Sequence, residues 1–151
     1  MRNKTELQNR GVIFHYEILE KFTAGLALRG FEVKAIKTGR GSLNGSYVSA
    51  LGNELYLISC QIPAYQPKNA PKDYIETQPR KLLLQRAEIR YLIGKLKEKG
   101  LTLVPLRLFT KKGLIKIELA LAKGLKKYEK REKIRKRDFQ RERDRAMGEK
   151  F

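Results

Sequence analysis

The sequence predicts a mainly β fold of the α+β class: a small antiparallel β-barrel with peripheral helices, followed by a basic C-terminal tail. Apolar and polar residues alternate along several short stretches that end at turn residues, as in strands with one wet face. One longer stretch has the apolar periodicity of an amphipathic helix. The last 29 residues have too few apolar side chains to form a core, so this tail is predicted to be disordered or helical, depending on its partner.

The first elements of the barrel are predicted to be strands and a short helix. Aromatic and β-branched residues favour strands over residues 12–22 and 26–28, although the first stretch also tolerates a helical turn. Two apolar branched residues three positions apart indicate a short helix over residues 31–38. Gly39 would close that helix at its C-terminal end.

A β-hairpin and a proline-rich loop are predicted next. Residues 47–51 and 54–62 alternate in polarity on either side of a Gly-Asn turn, which is typical of a hairpin. Residues 63–79 contain four of the five prolines, so we expect an exposed loop there.

The second half of the barrel is predicted to be a helix and a second hairpin. Residues 81–99 carry apolar side chains at helical spacing, and Gly100 would end this helix. Residues 101–110 and 114–122 then alternate apolar and charged side chains around a Lys-Lys-Gly turn. This second hairpin should have one wet face.

Net charge indicates the class of partner and divides the chain. There are 34 Lys and Arg against 16 Asp and Glu, a net charge of +18, which indicates a polyanionic partner. Of this charge, +7 falls in the last 29 residues. We therefore predict an RNA-binding barrel domain over residues 1–122 and a basic tail over residues 123–151.

The composition argues against catalysis and against a metal or cofactor. His15 is the only histidine and Cys60 the only cysteine, so neither a recognisable nucleophile–base pair nor a set of metal ligands is present. The glycines at positions 39, 41 and 45 match no phosphate-binding or dinucleotide motif. Cys60 is predicted to be a small buried residue. With a polar N-terminus and no apolar run of membrane-spanning length, we expect a soluble cytoplasmic protein with no membrane partner.

The start of the tail combines positive charge with an aromatic ring. Tyr128 can stack on an unpaired base while the lysines around it neutralise phosphates. The alternative is a solvated charge run with no specific partner. Helical spacing favours RNA binding, because residues three or four positions apart share one helix face; the residues concerned are Lys126, Lys130, Lys133 and Arg137.

Several short segments are specific in their order and spacing. They are Asn9-Arg10, residues 16–20, Ala24-Gly25 with Gly30, residues 32–34, residues 46–48, residues 80–84, residues 99–105, Ala122-Lys123-Gly124 and Lys130-Arg131. Together they resemble the SsrA-binding protein (SmpB) family, the partner of transfer-messenger RNA (tmRNA) in bacteria. The resemblance covers nearly the whole chain and implies an oligonucleotide-binding-like (OB-like) antiparallel barrel.

The resemblance implies that one face of the barrel binds the tRNA-like domain of tmRNA near its elbow. The matching positions, with neighbouring cations added on charge grounds, are Asn9, Arg10, Thr23, Arg80, Lys81 and Leu83. Thr23 stands where the family usually has a glutamate implicated in RNA contact, so it keeps hydrogen-bonding capacity without the charge. Leu83 could instead be an ordinary core residue.

The resemblance also implies that the tail enters the decoding centre and the empty mRNA channel of a stalled ribosome. The matching residues are Lys123, Gly124, Lys126, Lys127, Tyr128, Lys130 and Arg131. The family's usual aspartate before Lys130 is Glu129 here, which keeps the charge. The implied function is ribosome rescue by trans-translation, with tmRNA and the ribosome as partners and elongation factor Tu as an indirect partner on alanyl-tmRNA.

Two other functions are compatible with the same charge. A ribosomal or other translation-associated RNA-binding protein would co-purify with resting subunits at full occupancy, whereas a rescue factor would be substoichiometric and bring tmRNA with it. More remotely, an RNA-modifying enzyme would need a reactive pocket that one histidine hardly provides.

Overall fold

The structure is a computed structural model that describes residues 6–148, apart from the side chains of Lys127 and Tyr128. Its strands are β1 (Glu6–Gln8), β2 (Tyr16–Leu26), β3 (Tyr47–Leu51), β4 (Glu54–Ile58), β5 (Arg80–Leu83), β6 (Leu101–Lys111) and β7 (Leu114–Gly124). Its α-helices are α1 (Val12–His15), α2 (Gly30–Lys37), α3 (Arg86–Leu96) and α4 (Lys127–Gly148), and a 3₁₀ turn spans Pro67–Asn69. Both predicted hairpins and the short helix α2 are present.

All the described strands join in one antiparallel sheet, in the order β1-β6-β7-β2-β5-β4-β3. The sheet curls until β3 lies beside β6, but within residues 6–148 no hydrogen-bonded ladder joins these two strands. The predicted barrel is therefore open along the seam between β3 and β6. The mainly β, α+β fold class with peripheral helices is confirmed.

An apolar core fills the inside of the curled sheet. Helix α3 contributes Ile89 and Leu92 to this core. On β5, Leu82 points inward and is fully buried, while its neighbours Lys81 and Leu83 are exposed. This alternation follows from the pleat of the strand, which sends successive side chains to opposite faces. The core thus fixes which side chains reach the outer surface.

Residues 12–15 form α1, so the strand predicted over residues 12–22 begins only at Tyr16. Gly11, at φ 86°, turns the chain after β1, and the amide of Phe14 donates to the Gly11 carbonyl oxygen at 3.0 Å. The helix ends where β2 begins to pair with β7. Tertiary pairing therefore decides a segment whose local pattern fits both structures. Of the strand predicted over residues 26–28, only Leu26 lies in a strand, as the last residue of β2.

The single helix predicted over residues 81–99 is a strand followed by a helix. Strand β5 pairs with β2 on one side and β4 on the other. Helix α3 starts after Gln85, whose N–H donates to the Glu88 carboxylate at 3.3 Å, and the chain turns again at Gly100, at φ 85°. A strand of four residues is too short for a period of 2 to be separated from a helical period.

The first hairpin and the proline-rich loop also differ from the prediction. Strand β4 ends at Ile58, before the predicted residue 62, because Ser59 takes φ 62°. The loop over residues 63–79 is partly buried rather than fully exposed. Ala64 is buried, and the hydroxyl of Tyr74 donates to the Ile62 carbonyl oxygen at 2.6 Å.

Most of the described part of the tail is helical. Strand β7 continues to Gly124, two residues past the predicted boundary, so Lys123 and Gly124 belong to the sheet. Helix α4 follows after a short connection, and Glu129 Oε1 accepts a hydrogen bond from the Lys126 amide at 3.3 Å, as an N-terminal cap. The division into two domains stays a prediction. No helix in the described part of the chain is long and apolar enough to cross a membrane.

Candidate nucleic-acid interface

The outer side of the sheet aligns side chains from five strands. One row contains Glu6, Phe109, Lys116, Gly25 and Leu83. The next row contains Gln8, Arg107, Glu118 and Thr23. Paired residues of antiparallel strands project from the same face of a sheet, so each row is contiguous. We call these two rows, together with Lys81 at their edge, the outer sheet face.

Leu83 belongs to the outer sheet face and not to the core. It is 51% exposed. Gly25 lies directly opposite, and a Cβ at that position would come within 3.2 Å of the Leu83 Cβ. Because Gly25 has no side chain, the Leu83 side chain packs directly over its backbone on the outer sheet face. The alternative interpretation of Leu83 as a core residue is wrong.

A cavity of about 780 Å³ opens beside Leu83, between β5 and α3. Two cations of α3, Arg86 and Arg90, line it together with Lys97, the residue that follows the helix. Lys81 also lines the cavity, and its Nζ lies 3.6 Å from Glu54 Oε1 in an exposed ion pair. An exposed ion pair of this kind holds its partners weakly. The cations are therefore accessible to a phosphate backbone that crosses the cavity.

Arg107 is the cation of the second row and contacts carboxylates of both rows. Its Nε lies 3.6 Å from Glu118 Oε1, and its Nη1 lies 3.6 Å from Glu6 Oε1. The guanidinium also stacks over Phe109, 4.2 Å from the ring centroid. Thr23 is exposed and pairs directly with Glu118 across β2 and β7. This row therefore offers both hydrogen-bond donors and acceptors.

Arg80 faces the interior, which corrects its prediction as a phosphate contact. It is 2% exposed, and its Nε lies 2.7 Å from Glu32 Oε2. Its other N–H groups donate to the Tyr74 hydroxyl and to the carbonyl oxygens of Cys60, Glu76 and Gln78. All five guanidinium N–H groups are thereby used inside the protein. Arg80 holds the proline-rich loop against α2.

Asn9 and Arg10 lie away from the outer sheet face, where the N-terminal segment meets the start of the tail. The amide of Asn9 donates to the Leu106 carbonyl oxygen at 2.8 Å, and its Nδ2 donates to the Pro105 carbonyl oxygen at 2.9 Å. A cavity of about 720 Å³ opens here and shares no lining residue with the first. We call it the root cleft; the polar residues that line it include Asn9, Arg10, His15, Tyr47 and Lys130.

The first half of α4 is docked on α1. The Lys133 ammonium donates to the carbonyl oxygens of Ile13 and Tyr16, at 3.1 and 3.2 Å. The Arg137 guanidinium lies 4.7 Å from the ring centroid of Phe14. The predicted basic strip of α4 therefore faces the barrel at these two positions rather than RNA.

The remaining tail residues differ in their exposure. Lys123, Lys126 and Arg131 are exposed, and Lys130 is half-buried at the root cleft. Gly124 also lines that cleft. The side chains of Lys127 and Tyr128 lie outside the described part of the structure, so their predicted RNA contacts stay predictions.

Cys60 is buried, as its apolar surroundings predict. Burial raises the pKa of its thiol to about 11, which keeps the sulfur protonated at neutral pH. His15 is exposed. In the described residues, no group of three or more His, Cys, Asp or Glu side chains could hold a metal ion.

A protein-family model matches the sequence along nearly its whole length. The family model described as SmpB protein matches residues 6–149. The chain belongs to the SmpB family. The SsrA-binding protein of Pelotomaculum thermopropionicum is 46% identical over 151 residues, which are 100% of this chain and 98% of that protein. The SsrA-binding protein of Rickettsia canadensis is 43% identical over 148 residues, 97% of each chain.

A solved structure matches in three dimensions as well. It is described as "tmRNA-SmpB: a journey to the center of the bacterial ribosome", and its matching chain is 41% identical, with a TM-score of 0.66. The match covers 82% of this chain and 86% of that chain. The sequence and the fold therefore both match the SmpB family.

Arg107, Phe109 and Lys116 are among the members of the outer sheet face that the sequence alone does not predict. The alternation along β6 and β7 does put them on the wet face of the second hairpin. Only the pairing of β7 with β2 brings Lys116 beside Gly25, and Glu118 beside Thr23. In the SmpB family a glutamate usually precedes the Ala-Gly pair; here that position is Thr23, and the residue paired with it on β7 is Glu118.

Proposed function

We propose that this chain binds the tRNA-like domain of tmRNA through its outer sheet face and acts with tmRNA on stalled ribosomes in trans-translation. The observation that carries this proposal is the exposure of Leu83 between the cations Lys81 and Lys116, on a rigid sheet, in a chain of the SmpB family. Folded RNA is recognised by backbone shape and by exposed bases. A curved face with basic edges and an apolar centre suits an RNA elbow.

The tail supplies the second half of the function. Helix α4 has 22 residues, so it extends over about 33 Å, and its distal part is exposed. Lys126 and Arg131 are exposed at its start, where they are free to neutralise ribosomal RNA phosphates. In this proposal the helix enters the decoding centre and the empty mRNA channel, in place of the missing codon.

The chain acts by binding, in the cytoplasm where ribosomes translate, and it makes or breaks no bond. What supports a purely binding role is the character of its reactive groups. The thiol of Cys60 is buried and protonated, and the single histidine lies on the surface.

Truncation tests whether the barrel alone binds tmRNA while the tail is needed on the ribosome. The chain should end after Lys126, because Gly124 still pairs with Tyr16 and the Leu125 amide donates to His15. We expect this variant to bind the isolated tRNA-like domain within about twofold of the full chain in a gel-shift assay, and to lose tagging of stalled polypeptides in a reconstituted translation system. Loss of RNA binding in a folded truncated chain would show that the barrel and the tail do not have these separate roles.

The RNA that co-purifies with the full chain distinguishes ribosome rescue from a structural ribosomal role. For a rescue factor, sequencing should recover tmRNA. The chain should also be bound to only a fraction of the ribosomes. Full occupancy on resting subunits, without tmRNA, would instead indicate a ribosomal protein.

A further inference from the structure

We propose that the root cleft binds one unpaired RNA nucleotide, with its base stacked on Tyr47 and its phosphate held by Arg10 and Lys130. This inference rests on the RNA-binding function proposed above. It assigns a second site, because the root cleft and the cavity beside Leu83 share no lining residue.

The ring of Tyr47 is the stacking surface. It is 50% exposed at the first position of β3, on the open seam between β3 and β6. Its backbone is fixed, since β3 pairs with β4 and the preceding Ser46 is buried, with its hydroxyl donating to the Leu43 carbonyl oxygen. A ring held by a rigid strand stacks on a base with little loss of conformational freedom.

The charge of the root cleft selects an anion. Arg10 is exposed and Lys130 is half-buried, and neither cationic group has a hydrogen-bond or ion-pair partner among the described side chains. None of the described lining residues is acidic. The cavity beside Leu83, by contrast, includes Glu54 in its wall. Unpaired cations without a nearby carboxylate attract phosphate.

The size and polar groups of the root cleft suit a nucleotide. Its volume of about 720 Å³ falls within the range of ligand pockets. The side chain of Asn9 is oriented by its bond to the Pro105 carbonyl oxygen, which leaves Oδ1 as an acceptor for a base edge. The edge of an unpaired base is accessible to such a group, whereas a paired base is not.

The docked tail forms one wall of this site. The Leu125 amide donates to the His15 carbonyl oxygen at 2.9 Å, and Lys130 reaches the cleft from the first turn of α4. A nucleotide in the cleft therefore contacts both the barrel and the tail. Its binding stabilises the docked position of the helix.

The probe is a hexauridylate with one 5-iodouracil, bound to the full chain and cross-linked by light. We expect mass spectrometry to find the cross-link on Tyr47. Anisotropy of the labelled hexamer should show affinity reduced about 5- to 150-fold in Tyr47→Ala, and within about twofold of wild type in Tyr47→Phe. The matched control is Tyr91→Ala, because Tyr91 is 42% exposed on α3 outside both cavities.

Equal affinities of Tyr47→Ala and Tyr91→Ala, or a cross-link elsewhere, would overturn the site. Thermal unfolding of each variant verifies that the chain is folded, and Tyr47→Val, which removes the ring but keeps a residue that favours strands, replaces Tyr47→Ala if that variant is unstable. Binding of the tRNA-like domain by Lys116→Ala separates the two proposals. If Lys116→Ala weakens that binding while Tyr47→Ala leaves the hexamer unaffected, only the root cleft is refuted.

Discussion

The side chains of Arg80 and Lys81 leave β5 on opposite faces, and this decides which of them is available to RNA. Arg80 points inward to Glu32, whereas Lys81 points to the outer sheet face. Sequence reasoning treated both as phosphate contacts because both are cationic. The alternation of a strand, once the strand is known, separates a buried structural arginine from a lysine that is exposed on the surface.

Removal of the Arg80 guanidinium should destabilise the fold. In Arg80→Met, the Glu32 carboxylate stays buried without its cation, which costs about 3–5 kcal/mol in the free energy of unfolding. The matched control Lys81→Met removes an exposed cation and should change that free energy by less than about 1 kcal/mol. Urea unfolding measures both. Equal losses in the two variants would contradict the interior role of Arg80.

The thiol of Cys60 should be inert in the folded chain. Burial raises its pKa from 9.0 to about 11, so iodoacetamide at pH 8 should react far more slowly with the native chain than with the chain in urea. Since the folded state has the higher pKa, this group's contribution to stability is complete below pH 9 and is lost as the pH rises towards about 11. Rapid alkylation under native conditions would show that Cys60 is accessible.

At the scale of elements, local patterns predicted the hairpins and α2 but not α1 or β5. Hairpin strands are adjacent in sequence, and their turns are visible as Gly-Asn or Lys-Gly pairs. Strand β5 is stabilised by β2 and β4, which come from distant parts of the chain, so its four residues carry too little local signal. For the same reason, local sequence does not predict the position of Lys116. Its place beside Gly25 depends on the long-range register between β2 and β7.

The docking of α4 on α1 can be tested as one element against another. The double variant Lys133→Ala with Arg137→Ala removes the hydrogen bonds to α1 and the contact with Phe14. Because most of the stability of a helix in a protein comes from its tertiary packing, amide hydrogen exchange over residues 127–137 should become at least tenfold faster. The control, Arg135→Ala with Lys136→Ala, removes two exposed cations of the same helix and should leave that exchange within about twofold.

Unchanged exchange in the docking variant would mean that α4 does not depend on α1. Equal acceleration in both variants would instead attribute the effect to lost charge. Tagging activity of the docking variant should fall while its affinity for the tRNA-like domain stays the same, because the outer sheet face is not altered.

At the scale of the whole molecule, positive charge is spread over both the barrel and the tail. The chain carries +18, and the 25 residues from Lys127 onward hold 11 basic and 6 acidic residues, so the barrel with its connection keeps +13. Both parts therefore attract RNA, and charge alone does not tell them apart. Only the arrangement of apolar and aromatic groups among the cations gives the outer sheet face and the root cleft different partners.

Salt dependence separates the ionic from the apolar contribution of the outer sheet face to RNA binding. Lys116→Ala removes the phosphate contact proposed for this lysine, so the slope of log affinity for the tRNA-like domain against log salt should fall by about 0.7–1. Leu83→Ala removes an exposed apolar contact and should weaken binding about equally at every salt concentration, without a change of slope. Gel shifts at 50–300 mM salt, about the range where phosphate contacts dominate, measure both slopes. If Leu83→Ala changes the slope and Lys116→Ala does not, then Lys116 is not at the phosphate backbone and the RNA crosses this sheet elsewhere.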